Sequence, residues 1–331
     1  MLRKVTPALA GFGLAFTLLC APATNAQTSS APPANQPIRL LFGFAAGSAG
    51  DTLTRIVADR MQAALGQSVV VENRVGASAK IALMAVKNAP PDGTLLYIGP
   101  NGPMTITPLY DSNAGYDPQA DFTPISQLVT FEFSIGASPK LMPAKNLAEM
   151  IALVKSKPEL GSYGTPGGGS NPHFMAINLA AAAKLDLRAV HYRGSIPALN
   201  DVVAGQLPMM VTPLSDQIEQ AKAGNLRIIA TSGKERSVFA PDVPTFVEQG
   251  FPVEALGWYA AYGPAKLPRN IVDRLNKIMA EAVRAPEVKA RLDALGFKPT
   301  TTSPEALAEQ QKKEIDFWRP IVKASGFKAG D

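Results

Sequence analysis

The chain is short of cysteine, histidine and long apolar runs, and each shortage removes a class of function. Cys20 is the only cysteine among 331 residues. It follows an apolar run from Ala8 to Leu19, preceded by Arg3 and Lys4, that reads as a Sec-type signal peptide cleaved after Ala26. The run is shorter than the ~20 residues a membrane span needs. Leu19 stands where a lipidation signal wants a small residue, so Cys20 is not read as a lipid anchor. Cleavage would leave no thiol, which excludes disulfide frameworks, thiolate metal sites and cysteine nucleophiles. The two histidines, His173 and His191, lack acidic partners at a recognisable metal spacing. Net charge is +5, lowered to +3 when Arg3 and Lys4 are removed. No Lys/Arg block or interleaved aromatic pattern points to nucleic acid.

What is present is a repeated alternation of short apolar runs, glycine loops and amphipathic stretches. Residues 27–36, rich in Ser, Pro and Ala, read as a flexible leader. The roughly 300 residues after it are too many for one ordinary core, so two domains are expected. Residues 38–42 form an apolar run, and Leu53, Ile56, Val57 and Met61 mark one face of a helix over 52–65. Similar units continue to residue 98, and a second series runs from Ile135 to Ala230. This alternation predicts an α/β protein with mixed, mainly parallel sheets flanked by helices. Helices over 271–283, 287–295 and 305–321 are expected to return to the first lobe. The domains are then 37–128 with 257–331, and 129–256. Chain crossings near 122–133 and 254–262 would form a hinge beside a ligand cleft.

Three loops join apparent strands to helices. The first, Gly43 to Asp51, offers backbone N–H groups and a helix dipole to an anion and contains no Lys or Arg. Asp51 reads either as an N-cap or as the partner of a ligand ammonium or hydroxyl. The glycine spacing misses Gly-x-Gly-x-x-Gly, which speaks against a nicotinamide enzyme. The second loop, Tyr163 to His173, places Asn171 as an N-cap and Pro172 as the first helical residue. No Gly-Lys-Ser/Thr follows it, so a nucleotide phosphate site is not indicated. Ser170 and His173 invite a nucleophile–base reading, yet no Gly-x-Ser-x-Gly elbow or orienting acid accompanies them. His173 serves equally as a polar contact at a helix start. The third loop, Tyr192-Arg193-Gly194-Ser195, adds a hydroxyl, a guanidinium and backbone donors. Arg193 is either a ligand contact or a salt-bridge partner. Trp258 and Tyr259 either stack on a ligand at the crossing or belong to the core.

Ordered motifs extend these readings: Phe44 to Asp51, Val71-Glu72-Asn73-Arg74-Val75-Gly76-Ala77, Pro91 to Leu96, Tyr163 to Gly167, Tyr192-Arg193-Gly194, Pro241 to Thr245, Ser303-Pro304-Glu305 and Trp318. In this order the chain resembles the Bug/TctC family of periplasmic solute-binding proteins, the extracytoplasmic receptors of tripartite tricarboxylate transporters. The resemblance implies a two-domain Venus-flytrap fold that binds a small organic carboxylate and passes it to membrane permease subunits, as a monomer without cofactor, metal or catalysis. The cargo classes it leaves open are di- and tricarboxylates, amino acids and aromatic acids. It assigns ligand contacts to Phe44, Ala45, Ala46, Gly47, Ser48 and Ala49, to Thr165, Gly167, Gly168, Ser170 and His173, and to Tyr192, Arg193 and Gly194. Asp51, Asn101 and Asp216 are further candidates. The chain departs from the family where Gly43, Ala45 and Ala46 replace prolines, where Val75, Ser78 and Ala79 replace a proline and glycines, and where His191 replaces a proline. Ligand choice is therefore not carried over. The alternatives are a receptor for a membrane sensor kinase and a secreted serine hydrolase.

Overall fold

A computed structural model describes residues 32–329 together with residues 1, 2 and 4. Most of the expected signal peptide and half of the leader, residues 27–31, lie outside the described residues. Residues 32–36, assigned to the flexible leader, instead form a held turn: the Gln36 N–H donates to the Pro33 carbonyl at 3.2 Å. The Gln67 amide donates to the carbonyls of Pro33 and Gln36.

The first half of the chain gives β1 (Ile38–Phe42), α1 (Ala49–Leu65), β2 (Val69–Asn73), α2 (Lys80–Lys87), β3 (Leu95–Pro100) and the short α3 (Gly102–Thr105) and α4 (Thr107–Tyr110). The long β4 (Phe122–Ala137) then leads into α5 (Leu147–Ser156), β5 (Ser162–Thr165), α6 (Asn171–Ala183), β6 (Arg188–His191), α7 (Ser195–Ala204), β7 (Met209–Pro213), α8 (Ile218–Lys222) and β8 (Arg227–Thr231). The chain finishes with β9 (Leu256–Pro264), α9 (Arg269–Arg284), α10 (Pro286–Ala294), β10 (Lys298–Pro299) and α11 (Pro304–Ser325). Among the described residues no helix is long and apolar enough to cross a membrane.

The helices are amphipathic for the reason their spacing predicts. Leu53, Ile56, Val57 and Met61 of α1 are all at most 1% exposed, and each such side chain contributes about 1.5–3 kcal/mol by leaving water. The expected parallel units are the trios β2-β1-β3 and β7-β5-β6. Two antiparallel crossing strands join them in the order β2-β1-β3-β9-β4-β7-β5-β6. Residues 122–132 of β4 pair with β9, whereas residues 133–137 pair with β7, and residues 134–137 also pair with β8. Register shifts at Pro124/Ser126 and Gln127/Val129 accommodate a strand containing Pro124. The chain thus crosses twice between the halves, and α11 returns to pack on β4, α3 and α4.

Candidate functional site

Two helix starts differ from their sequence assignments. Ser48, not Asp51, caps α1: its Oγ accepts from the Asp51 N–H at 3.2 Å. Asp51 instead reaches back, accepting from the Gly47 N–H at 3.1 Å, from Asn73 Nδ2 at 2.8 Å and from both Arg55 Nε and Nη2 at 3.1 Å. Burial acts to raise its pKa, but these donors outweigh that and hold it below the ordinary value. At α6 the capping position belongs to Ser170, with Asn171 already helical. The Ser170 hydroxyl does not cap; it donates to the Gly167 carbonyl at 2.8 Å and bonds Thr165 Oγ1 at 3.1 Å.

These helix starts face one another across a cavity between the two halves of the sheet. One side brings Phe42 from the end of β1, Phe44, Ala45 and Ser48 from the loop after it, and Asn101 from the end of β3. The other brings Ser170 and Asn171 from the start of α6, Gly194 and Ser195 from the start of α7, and Asp216 after β7. Phe131 and Phe133 of β4 and Tyr259 of β9 line it from the crossing strands. No Lys, Arg or His is among its lining residues. Asp216 ties the halves together, because its Oδ1 accepts from the Ala49 N–H at 2.9 Å. Burial raises the Asp216 pKa, while the Ala49 N–H and the Ser195 hydroxyl pull it back.

The sequence-selected residues divide into three groups. Phe44, Ala45, Ser48, Asn101, Ser170, Gly194 and Asp216 line the cavity. Gly167, Tyr192 and Arg193 line an adjoining recess that shares Phe44, Ser78 and Pro166 with it. Ala46, Gly47, Ala49, Asp51, Thr165, Gly168 and His173 line neither. Several of these shape the loops instead. His173 Nδ1 accepts from the Gly169 N–H at 3.0 Å, and burial, reinforced by His191, lowers its pKa to about 4. Ser170 and His173 therefore spend their polar groups on separate backbone partners. The Gly168 carbonyl accepts from Tyr110 Oη at 3.2 Å and from Ser78 Oγ at 3.4 Å, a second tie between the halves. The Tyr192 hydroxyl donates to Asp201 Oδ2 at 2.5 Å.

Sequence reasoning missed Phe42, Phe131 and Phe133 as walls, and Glu314 behind them. Glu314 of α11 accepts from Asn101 Nδ2, from Trp258 Nε1 at 2.6 Å and from Trp318 Nε1 at 3.3 Å. Burial of its carboxyl group raises the pKa to about 7, against the pull of those donors. Trp258 is thus fixed in the core, while Tyr259 reaches the cavity.

A mixed α/β structure in two halves, with a cavity built from strand ends and helix starts of both, defines a solute-binding protein of the periplasmic type. The chain belongs to the tripartite tricarboxylate transporter family receptors (TctC), whose family model matches residues 53–327. It is 32% identical over 316 residues to the UPF0065 protein in the tcbD-tcbE intergenic region of Pseudomonas sp. (strain P51), covering 95% of this chain and 92% of that one. The structure of the periplasmic binding protein BugD superposes with a TM-score of 0.84 at 29% identity, covering 88% of this chain and 98% of BugD. MatC from Rhodopseudomonas palustris with bound malate superposes with a TM-score of 0.82 at 28% identity, covering 87% and 99%. Family and fold are those of solute-binding proteins, which are not enzymes.

Proposed function

We propose that this protein is a periplasmic receptor that closes its two domains, 37–128 with 257–331 and 129–256, on a small organic carboxylate and delivers it to the membrane subunits of a tripartite tricarboxylate-type transporter. The observation that carries this reading is the cavity itself, in which helix starts from both halves converge and no basic side chain intervenes. Helix N-termini hold anions through backbone N–H groups and the dipole, without a buried cation. The bound malate in MatC supports the same ligand chemistry for this chain. The paired crossing strands β4 and β9 supply the hinge, and the Asp216–Ala49 bond belongs to the closed arrangement.

A thermal-shift screen tests this reading, since a ligand that binds only the folded state raises the midpoint by mass action. Carboxylates are expected to shift the midpoint and neutral sugars are not. Ala45→Trp, which fills the cavity beside Gly194, is expected to abolish the shift without lowering the unliganded midpoint by more than a few degrees. A shift with neutral solutes alone, or an undiminished carboxylate shift in Ala45→Trp, would remove the cavity from this role.

A further inference from the structure

The three helix N-termini at the cavity are not equivalent. At α1 the leading Ala49 N–H already donates to Asp216. At α7 the first residue, Ser195, lines the cavity with the same carboxyl, whose pKa its hydroxyl lowers. A carboxyl group of the protein therefore takes the leading donor of α1 and stands beside the start of α7. Helix α6 has no side-chain cap, because the Ser170 hydroxyl is turned to the Gly167 carbonyl. Beside it Asn171, 3% exposed and lining the cavity, carries a side-chain Nδ2 without a hydrogen-bond partner. That amide stands next to Glu314 without closing a bond of normal geometry. The unused donors thus gather at the start of α6.

The space between is aromatic. Phe42, Phe44, Phe131, Phe133 and Tyr259 line it, with Phe131 and Tyr259 ring centroids 5.1 Å apart and Phe42 and Phe44 centroids 5.8 Å apart. Asp216 is the only acidic lining residue and keeps part of its surface open. A second carboxylate on the ligand would meet that group with no Lys, Arg or His lining the cavity to offset it, and like charges repel in a low-dielectric site.

We propose that the cavity selects an aromatic monocarboxylate bearing a hydroxyl or amino group: the carboxylate docks at the N-terminus of α6, the ring packs on the phenylalanines, and the donor bonds Asp216. This rests on the cavity being the cargo site. A carboxylate has about four acceptor sites and Asp216 receives one backbone donor, so it retains capacity for a ligand donor. Aromatic walls favour a flat apolar body over a flexible aliphatic diacid.

Isothermal titration of the purified protein at pH 8 with benzoate, 3- and 4-hydroxybenzoate, malate and adipate tests the assignment. The better hydroxybenzoate is expected to bind at least tenfold more tightly than either dicarboxylate and more tightly than benzoate. Asp216→Asn keeps an acceptor for Ala49 but removes the charge, and is expected to narrow the gap to the dicarboxylates at least tenfold. Malate or adipate binding as tightly as the aromatic acids would overturn the proposal while leaving the carboxylate receptor intact. An unchanged gap in Asp216→Asn would also overturn it, and the ranking in the unsubstituted protein decides if that variant does not fold. Absence of binding by all five acids, with a neutral solute binding in the thermal-shift screen, would remove the receptor reading as well.

Discussion

Glu314 offers the most quantitative test of how this structure is held together. Its pKa rises from an ordinary 4.5 to about 7 because its carboxyl group is buried, and three donors from Asn101, Trp258 and Trp318 limit the rise. A carboxyl group with a raised pKa binds its proton more tightly in the folded than in the unfolded state. Its contribution to stability is therefore complete below pH 4.5 and is lost as pH climbs through 7. At about 1.4 kcal/mol per pH unit the loss amounts to at most about 3 kcal/mol, or roughly 5 °C in melting midpoint for a chain of this size. Other groups titrate in the same window, so the informative quantity is the difference between the unsubstituted protein and Glu314→Gln. The glutamine leaves one donor facing an amide N–H₂, which adds a constant penalty independent of pH. Calorimetric midpoints at half-unit steps from pH 4.5 to 8 are expected to move in favour of Glu314→Gln by that amount. Parallel curves would show that the carboxylate is already ionised across the range and that burial does not dominate its environment.

Two further substitutions probe the loops around the cavity. Asp51→Ala removes the acceptor for Gly47, Asn73 and Arg55. It is expected to cost about 2–3 kcal/mol in urea unfolding at neutral pH. The cost should shrink as pH falls through the lowered Asp51 pKa, since a depressed carboxylate stabilises the fold only above it. Ala77, Ser78 and Ala79 hold left-handed backbone with φ of 45°, 51° and 71°. Ala79→Gly is expected to raise stability by about 1 kcal/mol, readable from the same unfolding curves; a loss would show that the strain lies elsewhere.

The strand–loop–helix units, the two parallel trios and the loops at the cavity were legible because each rests on local physics. The apolar spacing of α1 needs one face against a sheet, and Ser48, Ser170 and Gly194 mark chain turns that open helices. Local patterning also misled by a few residues: Asp51 and Asn171 are good capping types, but a serine stands at the capping position of each helix and the carboxylate of Asp51 is drawn to Arg55. The division of candidates between cavity and scaffold was not legible. Thr165, Ser170 and His173 are all polar residues of one loop, and only the folded loop decides that Ser170 lines the cavity while Thr165 and His173 do not.

The sequence by itself determined that this is a two-lobed α/β chain with glycine-rich helix starts available to an anion, because hydrophobic period and turn chemistry act between neighbours. The tertiary structure alone decided which of those starts remain available. Asp216 reaches α1 across 167 residues of chain, and Asn101 meets Glu314 across 213. Phe42, Phe131 and Phe133 also look like ordinary core in the sequence, since a ring facing a cavity and a ring facing a neighbour have the same local pattern. Whether such a group completes the core, walls a site or cancels a helix dipole depends on long-range pairing of β4 and β9, which no local spacing encodes.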